Sequence, residues 1–381
     1  MSLRVLVSAG EVSGDQHLAR VVRALRHARP DVELRGMAGA DSAAAGVSLD
    51  VDCYRAGAAM GFIEVARSAS SIIRSFRTMV GLLKSWQPDV LLLVDYPDFN
   101  LRLAKKARRL GVKVFYFIPP KVWAWRRGRV KTIASCVDRI AAIFPFEPEF
   151  YRQHGFANVD FVGHPLSELI QTVSPTEPRD NALLLLPGSR KHEVEKILLP
   201  MVKAYVRLQA EVPDLVARVL VAPNLDIEWI SSLVRPVVAP DIYRRIEWIR
   251  GDTLHLMQRA RIAVLKSGTC NLEGAIAGVP FVCVYSGSLV AKLIVSSLVP
   301  LKEYSPVNII RSGTVTELMQ LNLSDLDIAN ELEKLIETEG GWAEAQRRLL
   351  AVRDSLKSGD GRAVSERVAS MLLSLVSTNG G

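Results

Sequence analysis

Residues 262–280 read IAVLKSGTCNLEGAIAGVP. Residues 262–265 form a short apolar run of β-formers, Ser267, Gly268 and Thr269 supply turn and cap chemistry, and residues 270–277 have helical character. A strand that enters a helix through so tight a turn presents unpaired backbone N–H groups and about half a positive charge at the helix start. A diphosphate fits there, with the Ser267 and Thr269 hydroxyls as further donors. Glu273 lies one turn on, on the Thr269 face, where its carboxylate can accept both hydroxyls of a ribose. The same residues suit an ordinary N-capped core helix equally well.

Outward from this stretch the pattern repeats. Apolar runs predict strands near 4–8, 33–37, 90–94, 112–118 and 140–143, then near 182–186, 218–221, 246–249, 262–265 and 281–285, with amphipathic helices between them. Strands alternating with helices imply parallel sheets covered on both faces. A chain of 381 residues is too long for one ordinary core. The reading is an α/β protein of two Rossmann-like domains facing a central cleft, since open α/β sheets bind ligands beyond the carboxyl ends of their strands. The Ser174-Pro175-Thr176-Glu177-Pro178 break places the boundary within 167–181. That gives a first domain over 1–170 and a second over 171–345, with helices at about 345–377 packing back on the first.

Hydrophobic residues at 49% with 23% charged describe a globular chain. No apolar run approaches the roughly 20 residues that span a bilayer, and residues 3–9 lack the basic leader of a signal peptide, so a cytosolic protein is expected. Cys53, Cys136, Cys270 and Cys283 show neither CxxC pairing nor zinc spacing and read as free thiols. The net charge of +8 is concentrated: residues 101–137 contain no Asp or Glu but many Lys and Arg. Such a field favours a phosphorylated ligand, nucleic acid or an anionic membrane. Residues 65–83, with Ile72, Ile73, Phe76, Met79, Val80 and Leu83 beside arginines, read either as a basic amphipathic helix for a membrane interface or as a core-facing helix. Residues 289–301, LVAKLIVSSLVPL, are a second apolar patch, suited to an acyl groove or to burial.

Gly10-Glu11-Val12-Ser13-Gly14-Asp15 follows the first strand but lacks the G-x-G-x-x-G dinucleotide fingerprint. It reads as a loop for an acceptor or its phosphate, or as a capping turn. In VLLLVDYPDFN, residues 90–100, Asp95 and Asp98 emerge where a buried strand ends, a placement that suits a general base, and suits a helix cap too.

These motifs occur in order: GEVSGD, MAG at 37–39, MGFIEV, DYPDFN, VWAWR, FPFE, GHP, LPGSR at 186–190, SGT, Glu273 and 304–308. Together, over about 300 residues, the chain resembles the lipid-A-disaccharide synthases, inverting glycosyltransferases of GT-B architecture. The resemblance implies transfer of a diacylglucosamine unit from its UDP derivative to the 6-hydroxyl of diacylglucosamine 1-phosphate, giving a β-1,6 disaccharide and UDP. It implies Asp98 as the base and Arg190 as the cation for the departing diphosphate. Donor contacts would come from Ser189, Ser267, Gly268, Thr269, Glu273, Asn308, Glu317 and Gln320. Acceptor contacts would come from Glu11, Ser13, Gly14, Asp15, Met60, Gly61, Trp123, Trp125 and Arg126. No cofactor, metal or nucleic acid is called for. The resemblance makes 1–170 the acceptor-binding, membrane-associating domain and 171–345 the donor-binding one, and the partners would be the two lipids and an anionic surface at the inner face of the inner membrane, with a homodimer left as an open alternative. Lys121, Lys266 and Pro306 depart from the family pattern. A UDP-N-acetylglucosamine 2-epimerase-like isomerase, which shares the architecture and nucleotide pocket, is the runner-up, and a non-catalytic membrane-binding module the third reading.

Overall fold

The computed structural model describes residues 2–56, 62–124, 127–172, 179–286, 303–320, 323–337 and 340–377. Two compact units divide the chain, Met1–Pro165 with Ser358–Gly381, and Leu166–Lys357.

In the first unit β1 (Arg4–Ala9), β2 (Glu33–Ala38), β3 (Ser48–Asp52), β4 (Val90–Val94), β5 (Lys113–Phe117), β6 (Arg139–Ala142) and β7 (Val159–Phe161) form a 7-stranded parallel sheet, ordered β3-β2-β1-β4-β5-β6-β7. Every residue of β4 is buried, as a strand covered by helices on both faces requires. In the second unit β8 (Asp180–Leu186), β9 (Val216–Leu220), β10 (Ile246–Ile249), β11 (Ala260–Lys266), β12 (Phe281–Ser286) and β13 (Glu317–Gln320) form a 6-stranded parallel sheet, ordered β10-β9-β8-β11-β12-β13. Both sheets begin in the middle and wind outward first one way, then the other, the doubly wound α/β topology. Each unit closes its own core, one around Leu91, Leu93 and Tyr116, the other around Leu183, Leu185 and Val264.

β3, β7 and β13 are not among the strands expected from apolar runs. All three are sheet edges, where a solvated side leaves little apolar run to read, though the fourth edge, β10, falls on the run expected at 246–249.

Within 345–377 the two helices part company. Gly341–Ser355 packs in the second unit against the helix Cys270–Ala277, whereas Val364–Ser377 lies on Val12–Ala28 in the first. There Lys113 Nζ donates to the Leu375 carbonyl at 2.6 Å and Arg139 Nη1 to the Met371 carbonyl at 3.4 Å.

The helix Phe62–Ser85 corrects the membrane reading of its described side chains. Met79 and Leu83 are buried, and Ile72, Phe76 and Val80 pack against the core of the first unit, Phe76 edge-on to Phe99 at 5.5 Å. Its apolar stripe is a core stripe, with Ile73 standing out as exposed. The apolar patch 289–301 lies outside the described residues. Among the described residues no helix is long and apolar enough to cross a membrane. All four cysteines are free thiols.

Arg179 opens the second unit's sheet. Its guanidinium donates to the carbonyls of Met257, Ala260, Ala277 and Gly278 at 2.8–3.2 Å and lies 5.5 Å from the Trp342 ring centroid. Burial pulls its pKa down to about 10. Two of those carbonyls end the helix Cys270–Ala277, so a cation sits at the negative pole of that helix.

Candidate active site

In the second unit the order of strands reverses between β8 and β11, and a cavity of about 400 Å³ opens at their carboxyl ends. A crevice at such a reversal is the usual ligand position in an open α/β sheet, and the volume suits a small ligand. Leu186, Leu220 and Lys266 line it from the strand ends, Gly188, Ser189, Arg250 and Gly251 from the loops, and Ser267, Gly268, Thr269 and Glu273 from the turn and the helix behind it. The opening stretch of sequence thus brings Ser189, Ser267, Gly268, Thr269 and Glu273 to one hollow.

Thr269 is the N-cap of Cys270–Ala277 and makes no side-chain capping bond, which leaves its hydroxyl for a ligand. Glu273 is half-buried, and desolvation, then the nearby Asp252 carboxylate, raises its pKa. A carboxylate so placed gains from accepting hydroxyl donors. Gly188 holds φ +111°, a conformation that side chains rarely adopt. Arg190 caps the helix Lys191–Glu211, 72% exposed, with Nη1 3.5 Å from Glu193 Oε1. Lys266 Nζ lies 3.1 Å from the same oxygen.

Asn308 and Glu317 stand behind the pocket. Glu317 accepts from the backbone N–H groups of Tyr304 and Ser305, both at 2.9 Å, and from Asn308 Nδ2 at 2.8 Å. The Asn308 amide also bonds the backbone of Val315 through both its ends. With these groups satisfied internally, the two residues brace the segment that leads into the helix Pro306–Ile310, and that segment reaches the turn and the helix behind it: Ser267 Oγ donates to the Tyr304 carbonyl at 3.3 Å and Ser305 Oγ to Asn271 Oδ1 at 3.3 Å. Gln320 closes β13 at its pairing with Ser286. Asn271, fully buried, also accepts from the Gly268 N–H at 3.2 Å. Asn271 is absent from the sequence-based candidates, and its one signal there is an amide two residues before Glu273 in an otherwise mostly apolar helix.

In the first unit the candidate residues gather where β1, β4 and β5 end. Asp95 and Tyr96 both hold φ +48°, and Ile118 φ +56°. Non-glycine residues in this region carry strain of about 1–3 kcal/mol each and cluster at functional sites. The strained turn is held by Asn100 Nδ2 and Tyr116 Oη, which donate to the Asp95 carbonyl at 2.7 and 2.8 Å, and Ser8 Oγ locks Asn100 Oδ1 at 2.7 Å. Gly10 makes room for it: a Cβ there would stand 2.2 Å from the Tyr96 ring. Burial raises the Asp95 pKa, and Glu11 across from it is raised by desolvation and by Asp95 itself. Asp98, in the first turn of the helix Pro97–Arg109, is 70% exposed, with Oδ1 2.6 Å from Arg129 Nη2.

Two acceptor assignments are corrected. Asp15 is fully buried and accepts the N–H groups of Gly39, Asp41 and Ser42 and the Tyr54 hydroxyl, so it ties the helix after β1 to the start of Ala40–Ala45 and has no capacity left for a ligand. Burial alone would raise its pKa, but these bonds outweigh it and leave it lowered. Trp123 is also buried, edge-on to Phe144 and Phe146, because its indole N–H is spent at 3.0 Å on Glu147. Ser13 is exposed and Gly14 buried, where an added Cβ would stand 3.7 Å from Ala9 Cβ and 3.8 Å from the Val94 carbonyl oxygen. Met60, Gly61, Trp125 and Arg126 lie outside the described residues. His164 is buried against Phe144, and burial, with His17 and Lys121, pushes its pKa down to about 3, so it is neutral and structural. Among the described residues no group of three or more His, Cys, Asp or Glu could hold a metal.

The sequence matches the family described as lipid-A-disaccharide synthetase over residues 5–366. A lipid-A-disaccharide synthase from Syntrophus aciditrophicus is 36% identical over 385 residues, covering 98% of this chain and 97% of its own. Among solved structures, a putative UDP-N-acetylglucosamine 2-epimerase from Listeria monocytogenes superposes with TM-score 0.63 at 12% identity, over 100% of this chain and 97% of its own. A calicheamicin glycosyltransferase superposes with TM-score 0.60 at 14% identity, over 100% of both chains. The two structures share the fold of paired Rossmann-like units, while the sequence match separates the alternatives and does not favour the epimerase. The chain belongs to the lipid-A-disaccharide synthetase family, glycosyltransferases built on the doubly wound α/β units described above.

Proposed function

We propose that the protein joins UDP-2,3-diacylglucosamine to 2,3-diacylglucosamine 1-phosphate, releasing UDP and forming the β-1,6-linked disaccharide 1-phosphate. One observation carries the donor half: the hollow at the strand reversal combines a helix N-terminus, hydroxyls on a tight turn and a half-buried carboxylate one turn further on. The diphosphate would lie on Ser189 and on the turn Ser267-Gly268-Thr269, and the ribose against Glu273. The uracil would lie towards Leu220, Val221 and Arg250, which line the rest.

The acceptor half rests on the strained turn after β4. Asp98 takes the proton of the acceptor 6-hydroxyl as that oxygen attacks the anomeric carbon from the face opposite the leaving group. The carbon–oxygen bond to UDP breaks in the same step, so configuration inverts and no covalent enzyme intermediate forms. Arg129 holds Asp98 in place until the acceptor competes for it. Arg190 neutralises charge growing on the diphosphate. The exposed bases of Pro97–Arg109, among them Arg102, Lys105 and Lys106, favour peripheral association with an anionic inner face of the inner membrane.

The test is turnover with diacylated and with unacylated UDP-glucosamine, each with and without the phosphorylated acceptor. UDP release only when both lipids are present is the expected result. Inversion at C2 of the sugar without acceptor would make the protein an epimerase, and no reaction would leave a binding module.

A further inference from the structure

We infer that Lys266 is a second cation for the donor's diphosphate, stored on Glu193 while the pocket is empty and handed to the phosphates when the nucleotide arrives. The inference deepens the donor-pocket reading above and rests on it.

Lys266 is the last residue of β11 and the first before the Ser267-Gly268-Thr269 turn, so its side chain and the proposed phosphate donors leave the same few bonds of backbone. Its carbonyl is pinned from behind by Cys270 Sγ at 3.2 Å and Asn271 Nδ2 at 3.3 Å, which fixes where the flexible stem begins. The Lys266 side chain is 21% exposed, and the residue lines the cavity wall. Glu193, 15% exposed, lines the same wall. A carboxylate facing an anion pocket repels the ligand, and here a single oxygen, Oε1, serves two cations, Lys266 at 3.1 Å and Arg190 at 3.5 Å. Two positive charges on one carboxylate oxygen leave each cation only half matched.

Gly188 makes the arrangement possible. A Cβ there would come within 2.9 Å of Glu193 Oε2 and 3.8 Å of Lys266 Cδ, so the glycine clears the space in which the pair sits and through which the lysine turns. A lysine suits this role because its ammonium is a compact charge on a four-carbon stem that pivots without losing a fork geometry. As the anomeric bond breaks, the bonding pair leaves with the UDP oxygen and the diphosphate gains one unit of negative charge, which Lys266 and Arg190 meet together.

The experiment is calorimetric titration of the full chain with UDP and, separately, uridine. Wild type is expected to prefer UDP. Lys266→Met is expected to weaken UDP about tenfold and leave uridine unchanged, Lys266→Arg to restore UDP to within a few-fold, and Glu193→Gln to tighten UDP several-fold by releasing both cations. UDP binding in Lys266→Met equal to wild type would overturn the inference while leaving the pocket reading intact. Equal losses for UDP and uridine would overturn it too, by making Lys266 a structural residue. Should Lys266→Met not fold, Glu193→Gln decides alone: tighter UDP binding supports the inference, and unchanged or weaker binding overturns it. Wild type binding neither ligand would remove the donor pocket itself, and the inference with it.

Discussion

Glu147 shows how much a single residue can hold. Fully buried, it accepts from the Trp123 indole at 3.0 Å and from the backbone N–H groups of Ile143 and Phe144 at 3.1 and 3.0 Å. Burial pushes its pKa up to about 7 against these bonds, which pull it down. The folded state therefore holds the Glu147 proton more tightly than the unfolded chain, where the group titrates near 4.5. The stability this adds is complete below about pH 4.5 and is lost as pH rises through about 7, a change of at most about 3 kcal/mol. Urea midpoints of the wild type should fall across that window, and in Glu147→Gln that part of the slope should vanish, though the variant is less stable throughout because an amide cannot accept all three bonds. At Asp98, Asp98→Asn should lower kcat by about 10²–10⁴ with little change in donor KM, and near-normal turnover would remove it as the base. Glu273 and the Ser267–Thr269 turn were legible in the sequence because their chemistry is local. Asn271 was not, because it acts through a partner far along the chain, Ser305, and Glu147 was legible only as the last residue of the FPFE motif, its bond to the distant Trp123 being out of reach of the sequence.

Elements were legible in proportion to their burial. Central strands such as β4 announce themselves as unbroken apolar runs, whereas β3, β7 and β13 pair along one side only. The helix Phe62–Ser85 misleads for a related reason: a wide apolar stripe beside arginines has one pattern whether the stripe meets a core or a bilayer, and only contacts such as Phe76 with Phe99 decide. The helix Cys270–Ala277 is set at both ends, by Asn271 with Ser305 at one and by Arg179 at the other. Arg179→Met would strip partners from carbonyls at Met257, Ala260, Ala277 and Gly278, and should cost about 3 kcal/mol or more in denaturant unfolding. Because it also loosens the helix that lines the pocket, UDP affinity should fall in the same variant.

For the whole molecule, charge is the property that neither residues nor elements express alone. The net +8 is carried in part by exposed bases on one face of Pro97–Arg109, with Leu103, Ala104 and Ala107 facing inward. If that field draws the protein to a membrane, sedimentation with vesicles rich in anionic lipid should be strong at low ionic strength and fall more than tenfold by about 0.5 M salt, where the screening length is only a few ångströms. Zwitterionic vesicles should retain little, and glutamates at Arg102, Lys105 and Lys106 should weaken anionic-vesicle binding without altering UDP affinity.

The bond between Trp123 and Glu147 also equips the protein with an internal dye. An indole whose N–H points at a group that changes charge near neutrality emits at a wavelength tuned by that charge, so a titration followed by fluorescence, with a Trp123→Phe chain as the blank, would let the interior of the first unit report its own protonation in light.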